Sequence, residues 1–282
     1  MFTNIEDLSQ YVQGFEMSLT LEALGPSIMQ AKHEFTKSLG VDILNELLSN
    51  DQTSPLVKSA IANYAMYRYL IFWAASKNNT GQSLYKYQYE AMKEEYISIY
   101  WCAMDAIFSH LDCAPSNSED PGFKKWKESD VAKVRNSLLI KSATEFDQYF
   151  QINKSEYFFS KVQFLMSKVM DDEISPRLKG LSAPTEKVLE KAKRVLAYHT
   201  MAQAVMLFDV TELPKSIRND VAHEFTKDSS LMQVREKIKS TIMADVEKYY
   251  TALEAEIKST KGMTVKVAAN LNEEKHNFYA TI

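Results

Sequence analysis

The chain has 282 residues with a formal net charge of −4 and a pI of about 5.8, so it lacks the basic footprint of a dedicated nucleic-acid-binding protein. Only seven glycines and seven prolines interrupt it, which favours long helices and predicts a mostly α protein. Its two cysteines, Cys102 and Cys113, make no disulfide framework and fit a reducing cytoplasm, and the first residues predict no signal peptide.

Short helices are predicted ahead of a longer hairpin, over residues 5–12, 27–39 and 41–48. The second of these helices has an apolar stripe that ends at Leu39, and Gly40 follows it as a natural C-terminal cap.

Residues 54–75 and 84–111 are predicted to form a helical hairpin. In the first helix, apolar residues recur every three or four positions, and from Tyr64 onward the helix is apolar nearly all round. Such a helix is expected to be buried on several sides. A membrane span is not expected, because Arg68 interrupts a run that is already shorter than the roughly 20 apolar residues required.

The return helix is rich in tyrosine. Tyr85, Tyr87 and Tyr89 alternate with polar residues as in a short strand, but the helical period then continues to Leu111 and favours a helix. Aromatic rings at this spacing suit a core or a subunit interface, whereas base stacking would also need a basic groove. Tyr85 and Tyr87 are therefore candidate interface residues.

Residues 1–113 are predicted to be an N-terminal helical block that ends at a linker over residues 114–137. The linker begins with a stretch that holds two prolines and hardly an apolar group. Trp126 follows among three lysines, where it could contact an acidic partner and is a candidate interface residue. A charged, solvated face is the competing interpretation of this segment.

Residues 138–261 are predicted to be a second helical block, so the chain would contain two helical bundles. Its last helix, over residues 231–257, has apolar residues at helical spacing, namely Val234, Ile238, Ile242, Val246 and Tyr249. Matching fragments near the start of the two blocks suggest a weak duplication.

Residues 262–282 are predicted to form a small β element. Residues 263–267 alternate like a strand, and residues 276–282 could be its partner. A solitary hairpin is only marginally stable, so this tail would dock on its own domain or on a neighbour. Phe278 and Tyr279 are candidate interface residues for that reason.

No catalytic, cofactor or metal motif is complete. His33-Glu34 and His223-Glu224 each lack the second histidine of a zinc-protease helix. The spacing of Cys102, His110 and Cys113 matches no compact metal site.

An acidic cluster, Asp171-Asp172-Glu173, is similar to the Mg²⁺-binding carboxylates of class I terpene synthases, with Asn219-Asp220 as a second motif. The second motif has His223 where a hydroxyl residue is needed, and an exposed acidic surface is the competing interpretation.

The chain resembles an uncharacterised family from Bacteroidetes genomes and their prophages, whose members look like phage head–tail connector (neck or adaptor) proteins. The resemblance covers most of the chain in layout. It rests on Ile5-Glu6-Asp7-Leu8, on Leu24, Pro26, Ile28 and Ala31 before Phe35 and Leu39-Gly40, on Pro55-Leu56-Val57, on the aromatic hairpin, and on the end at Phe278 to Ile282.

The resemblance implies a structural protein without catalytic residues or a cofactor. Its partners would be copies of itself, portal proteins or tail proteins, and its place would be the cytoplasm or the virion. Two alternatives stay open: an all-α Mg²⁺-dependent lyase that uses Asp171 and Asp172, and a helical adaptor that binds another protein.

Overall fold

We describe the protein from a computed structural model. It describes the backbone of residues 1–14, 19–79, 85–113, 119–224 and 230–278, and the side chains of these residues except 77–79, 86, 113, 222–224 and 262–278. Every regular element in these ranges is helical, so the prediction of an all-α protein is confirmed. The chain divides into two compact units, Met1–Lys133 (unit 1) and Val134–Ile282 (unit 2).

Unit 1 is built from short helices around one long hairpin. Its elements are α1 (Ile5–Ser9), α2 (Leu21–Leu39), α3 (Val41–Ser49), α4 (Ser54–Asn79), α5 (Lys86–Cys113) and α6 (Pro121–Glu128), and α7 (Asp130–Ser137) spans the division between the units. The last two helices lie within the stretch predicted to be a linker. Side chains cap the N-termini of α1 and α2. The side chain of Asn4 accepts a hydrogen bond from the amide of Asp7 at 2.8 Å, and the side chain of Thr20 accepts one from the amide of Ala23 at 3.3 Å.

Helices α4 and α5 pack against each other as the predicted hairpin. The rings of Tyr64 and Tyr100 lie 4.8 Å apart between centroids. A buried cluster joins the hairpin to α1 and α2; its members are Leu8, Val12, Leu24, Ala62, Met66, Leu70 and Tyr96. Two hydrogen bonds also tie the hairpin to the segment after α1. The side-chain amide of Asn63 donates to the carbonyl of Tyr11 at 2.9 Å, and the hydroxyl of Tyr96 donates to the carbonyl of Gln13 at 3.1 Å. Burial of this apolar surface is the main force that holds α1 on the hairpin.

The corner between α2 and α3 depends on Gly40. Its φ of +89° and ψ of 157° lie in a region that only glycine occupies readily, and its amide donates to the carbonyl of Thr36 at 2.7 Å. A methyl group at this position would meet no atom within 4 Å, so only the backbone conformation opposes a side chain.

We expect Gly40→Ala to lower the free energy of unfolding of unit 1 by about 1–3 kcal/mol, because alanine cannot adopt this conformation without strain. Gly25→Ala is the control: Gly25 lies inside α2, directly before Pro26, and is not among the glycines with a positive φ. There the helix propensity of alanine and the crowding of its Cβ by the Pro26 ring oppose each other, so the free energy of unfolding should change by less than about 1 kcal/mol. Urea unfolding followed by tryptophan fluorescence measures both, since Trp73, Trp101 and Trp126 all lie in unit 1. Equal effects from the two substitutions would contradict the argument.

Unit 2 packs two long helices together and adds shorter ones. Its elements are α8 (Ala143–Asp147), α9 (Glu156–Val169), a π-helical turn (Met170–Ile174), α10 (Ser175–Leu178), α11 (Glu186–Leu207), a 3-10 turn (Val210–Glu212), α12 (Lys215–Glu224) and α13 (Leu231–Phe278). Helix α11 contacts both α9 and α13. The stripe predicted for α13 faces this core, since Val234, Ile242 and Val246 are buried.

The prediction of a strand at residues 263–267 is wrong, because α13 continues through them to Phe278. Gly262 does not break the helix, and the next ten residues after the alternating segment contain alanine, leucine, glutamate and lysine but no proline. These helix-forming residues outweigh the short β-like alternation before them. Residues 279–282, which complete the predicted second strand, lie outside the described part of the chain.

Candidate protein interface

The predicted interface residues Tyr85 and Tyr87 are on the surface. Each side chain is 69% exposed, and the two rings stack with centroids 5.8 Å apart and planes 16° apart. Tyr85 is held at the start of α5 because its carbonyl accepts from the amides of Gln88 and Tyr89, while its own amide donates to the Gln88 side chain at 3.3 Å. Two large rings are therefore kept together in water by the local fold.

Two more apolar side chains lie near the same end of the hairpin. Ile71 and Phe72 are 60% and 65% exposed, in a part of α4 that is apolar nearly all round and was predicted to be buried on several sides. They lie within about 12 Å of the C-terminal end of α4, measured along its axis. Tyr85 and Tyr87 lie where α5 begins. We call these four residues the hairpin-end surface.

The sequence contained a signal for the exposure of α4 that periodicity alone did not resolve. Arg68 lies three and four residues before Ile71 and Phe72, so the three side chains share one helical face. Arg68 is itself exposed. A charged residue on that face indicates that the neighbouring apolar residues on it also contact water.

A shallow groove runs between α2 and α4 beside these residues. It has a volume of about 670 Å³ and is lined by Pro26, Met29, Gln30, His33, Glu34, Tyr64 and Arg68. Met29 is 70% exposed, and Nε of Arg68 donates to Oε1 of Gln30 at 3.0 Å across the groove. We call this feature the α2–α4 groove.

The prediction that Trp126 is an interface residue is contradicted by its burial. Its side chain is 2% exposed, its Nε1 donates to Oδ1 of Asp112 at 2.9 Å, and its ring meets that of Phe108 edge-on at 5.4 Å. The surrounding lysines lie on the outer face of α6, while Phe123 and Trp126 share the inner face. The side chain of Phe278 and all of Tyr279 lie outside the described part of the chain.

The acidic residues considered for a Mg²⁺ site do not converge among the described side chains. Asp171 and Asp172 are exposed on the π-helical turn, and Glu173 instead pairs with Arg177 at 2.7 Å. Within the described side chains, no three or more His, Cys, Asp or Glu residues are placed to hold a metal ion. Cys102 is exposed on α5, and the side chains of Cys113 and His223 lie outside the described set.

A partly buried polar network links four segments of unit 2. The guanidinium of Arg177 lies 4.4 Å from the ring centroid of Tyr250 and also donates to the carbonyl and carboxylate of Glu173. The hydroxyl of Tyr250 lies 2.9 Å from Nδ1 of His199, and Gln203 lies 3.4 Å from the other ring nitrogen. The network thereby connects the π-helical turn and α10 to α11 and α13.

Burial governs the protonation of this network. It lowers the pKa of His199 and raises the pKa of Tyr250, because both charged forms lose hydration. The negative charge of Glu173 opposes the shift in the pKa of His199, while Arg177 and Lys239 add to it. Both side chains are therefore neutral at pH 7 and share a neutral hydrogen bond. Such a bond holds α11 to α13 and is not by itself a sign of catalysis.

Because the folded pKa of His199 is below the unfolded value of about 6.5, the folded state binds the proton less readily. We therefore expect unit 2 to lose stability as the pH falls below about 6.5, by no more than about 1.4 kcal/mol for each pH unit. His199→Gln should remove this part of the pH dependence, and His33→Gln, at an exposed histidine of unit 1, should retain it. Urea midpoints from pH 5 to 8, with unit 2 followed by hydrogen exchange of α11, measure the effect. An unchanged profile for His199→Gln would contradict it.

The chain belongs to a family of unknown function, DUF6712, which matches residues 22–136 and 160–262. The first segment runs from α2 into α7, and the second runs from α9 into α13. Comparisons with curated proteins and with solved structures gave no match. No helix among the described residues combines the length and the apolar character that crossing a bilayer requires.

Proposed function

We propose that this protein is a structural assembly component without catalytic activity, of the phage or prophage head–tail connector kind that its sequence resembles. The observation that supports the proposal is the hairpin-end surface, where Ile71, Phe72, Tyr85 and Tyr87 are each at least 60% exposed. Exposed aromatic clusters on a rigid scaffold are typical of protein interfaces, where tyrosine rings contribute a large share of the binding energy.

The rigidity of the scaffold adds to this support. Helices α4 and α5 are 26 and 28 residues long and are packed together, and the Tyr85–Tyr87 stack is fixed at the start of α5. A surface that is ordered before binding loses little conformational entropy when a partner covers it. An assembly protein that must join others in one geometry needs such a surface and needs no reactive pocket.

The proposal is tested in particles from the organism that encodes the protein. After prophage induction, mass spectrometry of purified particles should find the wild-type protein as a stoichiometric component. The double variant Tyr85→Ser/Tyr87→Ser should fold but be lost from particles, while Tyr85→Phe/Tyr87→Phe should be retained because it preserves the stacked rings. If the protein is absent from particles and is found on a host protein instead, it is an adaptor and the connector proposal fails.

The lyase alternative predicts Mg²⁺-dependent binding of a diphosphate at Asp171 and Asp172. We expect calorimetric titration with pyrophosphate to show no binding in the presence or absence of Mg²⁺, because the described side chains bring no group of three or more His, Cys, Asp or Glu residues together there. Mg²⁺-dependent binding that Asp172→Asn abolishes would replace the assembly proposal with the enzyme.

A further inference from the structure

The π-helical turn and α10, residues 170–178, bury little of their surface in unit 2. We call them the π-turn segment. Its side chains are all described, and Ile174 is the buried one among them, whereas Asp171, Asp172 and Pro176 are exposed. A segment with so little buried apolar surface opens at a lower free-energy cost than the core helices around it. Turns of π-helix are also rare and occur frequently at functional sites.

Arg177 connects the π-turn segment to α13. Its guanidinium lies 4.4 Å from the ring centroid of Tyr250, and its Nε lies 3.5 Å from Oε1 of Glu254. The hydroxyl of Tyr250 in turn lies 2.9 Å from Nδ1 of His199 on α11. A change in the charge of His199 therefore acts on Tyr250 by direct contact and on Arg177 by electrostatic repulsion.

The surroundings of His199 disfavour a second positive charge. Arg177 and Lys239 are cations, and the negative charge of Glu173 is shared with Arg177 through a hydrogen bond. The charged side chains of α9, which also packs on α11, are paired elsewhere or exposed: Glu156 pairs with Arg135, Lys161 pairs with Glu212, and Lys168 is exposed. Helix α11 itself has no charged residue after Arg194. Burial and the two cations therefore lower the pKa of His199 while the π-turn segment is closed.

We propose that the π-turn segment is an acid-sensitive latch, which separates from α11 and α13 when His199 becomes protonated while the helical core of unit 2 stays folded. Opening lets water reach the imidazolium and moves Arg177 away from it, so the charged form is more stable in the open state than in the closed one. The closed state is therefore favoured above about pH 6.5, and the open state gains population as the pH falls below that value. The latch lies in unit 2 and the hairpin-end surface in unit 1, so this inference and the proposed assembly function can fail separately.

Amide hydrogen exchange of the full-length chain, from about pH 7.5 to about pH 5.5, tests the latch. Each rate is converted to a protection factor, which removes the intrinsic pH dependence of exchange. The protection of the π-turn segment should fall below about pH 6.5, by at most about 10-fold for each pH unit, because opening is linked to the uptake of one proton. Helix α9 should stay at least about 10-fold better protected, because it opens only when unit 2 unfolds. About 1 M urea should lower the protection of α9 more than that of the segment, since local opening exposes less surface.

Three variants separate protonation from packing. His199→Gln can keep a hydrogen bond to Tyr250 but cannot become charged, so the protection of its π-turn segment should not change with pH over this range. His33→Gln, at an exposed histidine of unit 1, is the control and should behave as wild type does. Arg177→Met should lower the protection of the segment several-fold even at about pH 7.5, because the contact with Tyr250 is lost.

Three results overturn the inference. If the π-turn segment exchanges as slowly as α9, it opens only with the whole of unit 2 and is not a latch. If its protection in the wild type stays constant or rises at acidic pH, protonation does not release it, and this result requires no variant. If the wild-type decrease persists in His199→Gln, another group controls the opening.

Discussion

Trp126→Ala is expected to lower the free energy of unfolding of unit 1 by about 3–5 kcal/mol. The side chain is almost fully buried, its ring packs edge-on against Phe108 at 5.4 Å, and its Nε1–H donates to Asp112 at 2.9 Å. Alanine would leave a cavity where the indole was and would remove the donor from a partly buried carboxylate. The cavity and the lost hydrogen bond act together, so this is one of the most damaging single substitutions in unit 1.

One further variant separates the lost hydrogen bond from the cavity, and another serves as a control. Trp126→Phe keeps most of the ring and loses the donor, so it should cost about 1–3 kcal/mol. Lys124→Ala, at an exposed neighbour on the outer face of α6, should leave the stability nearly unchanged. Urea unfolding followed by the fluorescence of Trp73 and Trp101 measures all three. If Trp126→Ala left stability intact and abolished binding to a partner, the tryptophan would be an interface residue after all.

The burial of Trp126 shows what periodicity in a short helix could not establish. In an eight-residue helix, Phe123 and Trp126 make one apolar pair, and three lysines make the segment look solvated. What buries the indole is a contact with Phe108 and Asp112 of α5, on the far side of a proline-containing connection. A contact between elements separated in this way leaves no local pattern in the sequence.

Long, strongly periodic segments were predicted well for a physical reason. The stripe through Val234, Ile242 and Val246 must face a core wherever the helix docks, so its burial follows from spacing alone. Helix α4 differs, because its own apolar residues occupy nearly every face from Tyr64 onward. Periodicity therefore cannot indicate which of its faces stays exposed. Ile71 and Phe72 are exposed because α2 and α5 cover other faces of α4, and the spacing of the apolar residues does not indicate which faces these are.

A buried ion pair at the start of unit 2 organises three segments. Nη2 of Arg135 lies 2.8 Å from Oε2 of Glu156, and the side chains are only 11% and 16% exposed. Nε of Arg135 also donates to the carbonyl of Lys141 at 2.6 Å, and Oε1 of Glu156 accepts from the amide of Ala143 at 3.3 Å. The guanidinium lies 5.0 Å from the ring centroid of Phe159. The pair therefore joins α7 and the start of α8 to α9.

Arg135→Met is expected to destabilise unit 2 by about 3–5 kcal/mol, because it removes the guanidinium that pairs with the largely buried carboxylate of Glu156. Arg135→Met/Glu156→Leu should recover part of the loss, since it removes the buried charge, but not all of it, since the carbonyl of Lys141 and the amide of Ala143 lose their partners. Arg194→Met, at an exposed arginine of α11, is the control and should change little. Hydrogen exchange of α9 measures the opening of this region. A double variant less stable than Arg135→Met would mean that packing and backbone hydrogen bonds outweigh the cost of the buried carboxylate, contrary to the argument.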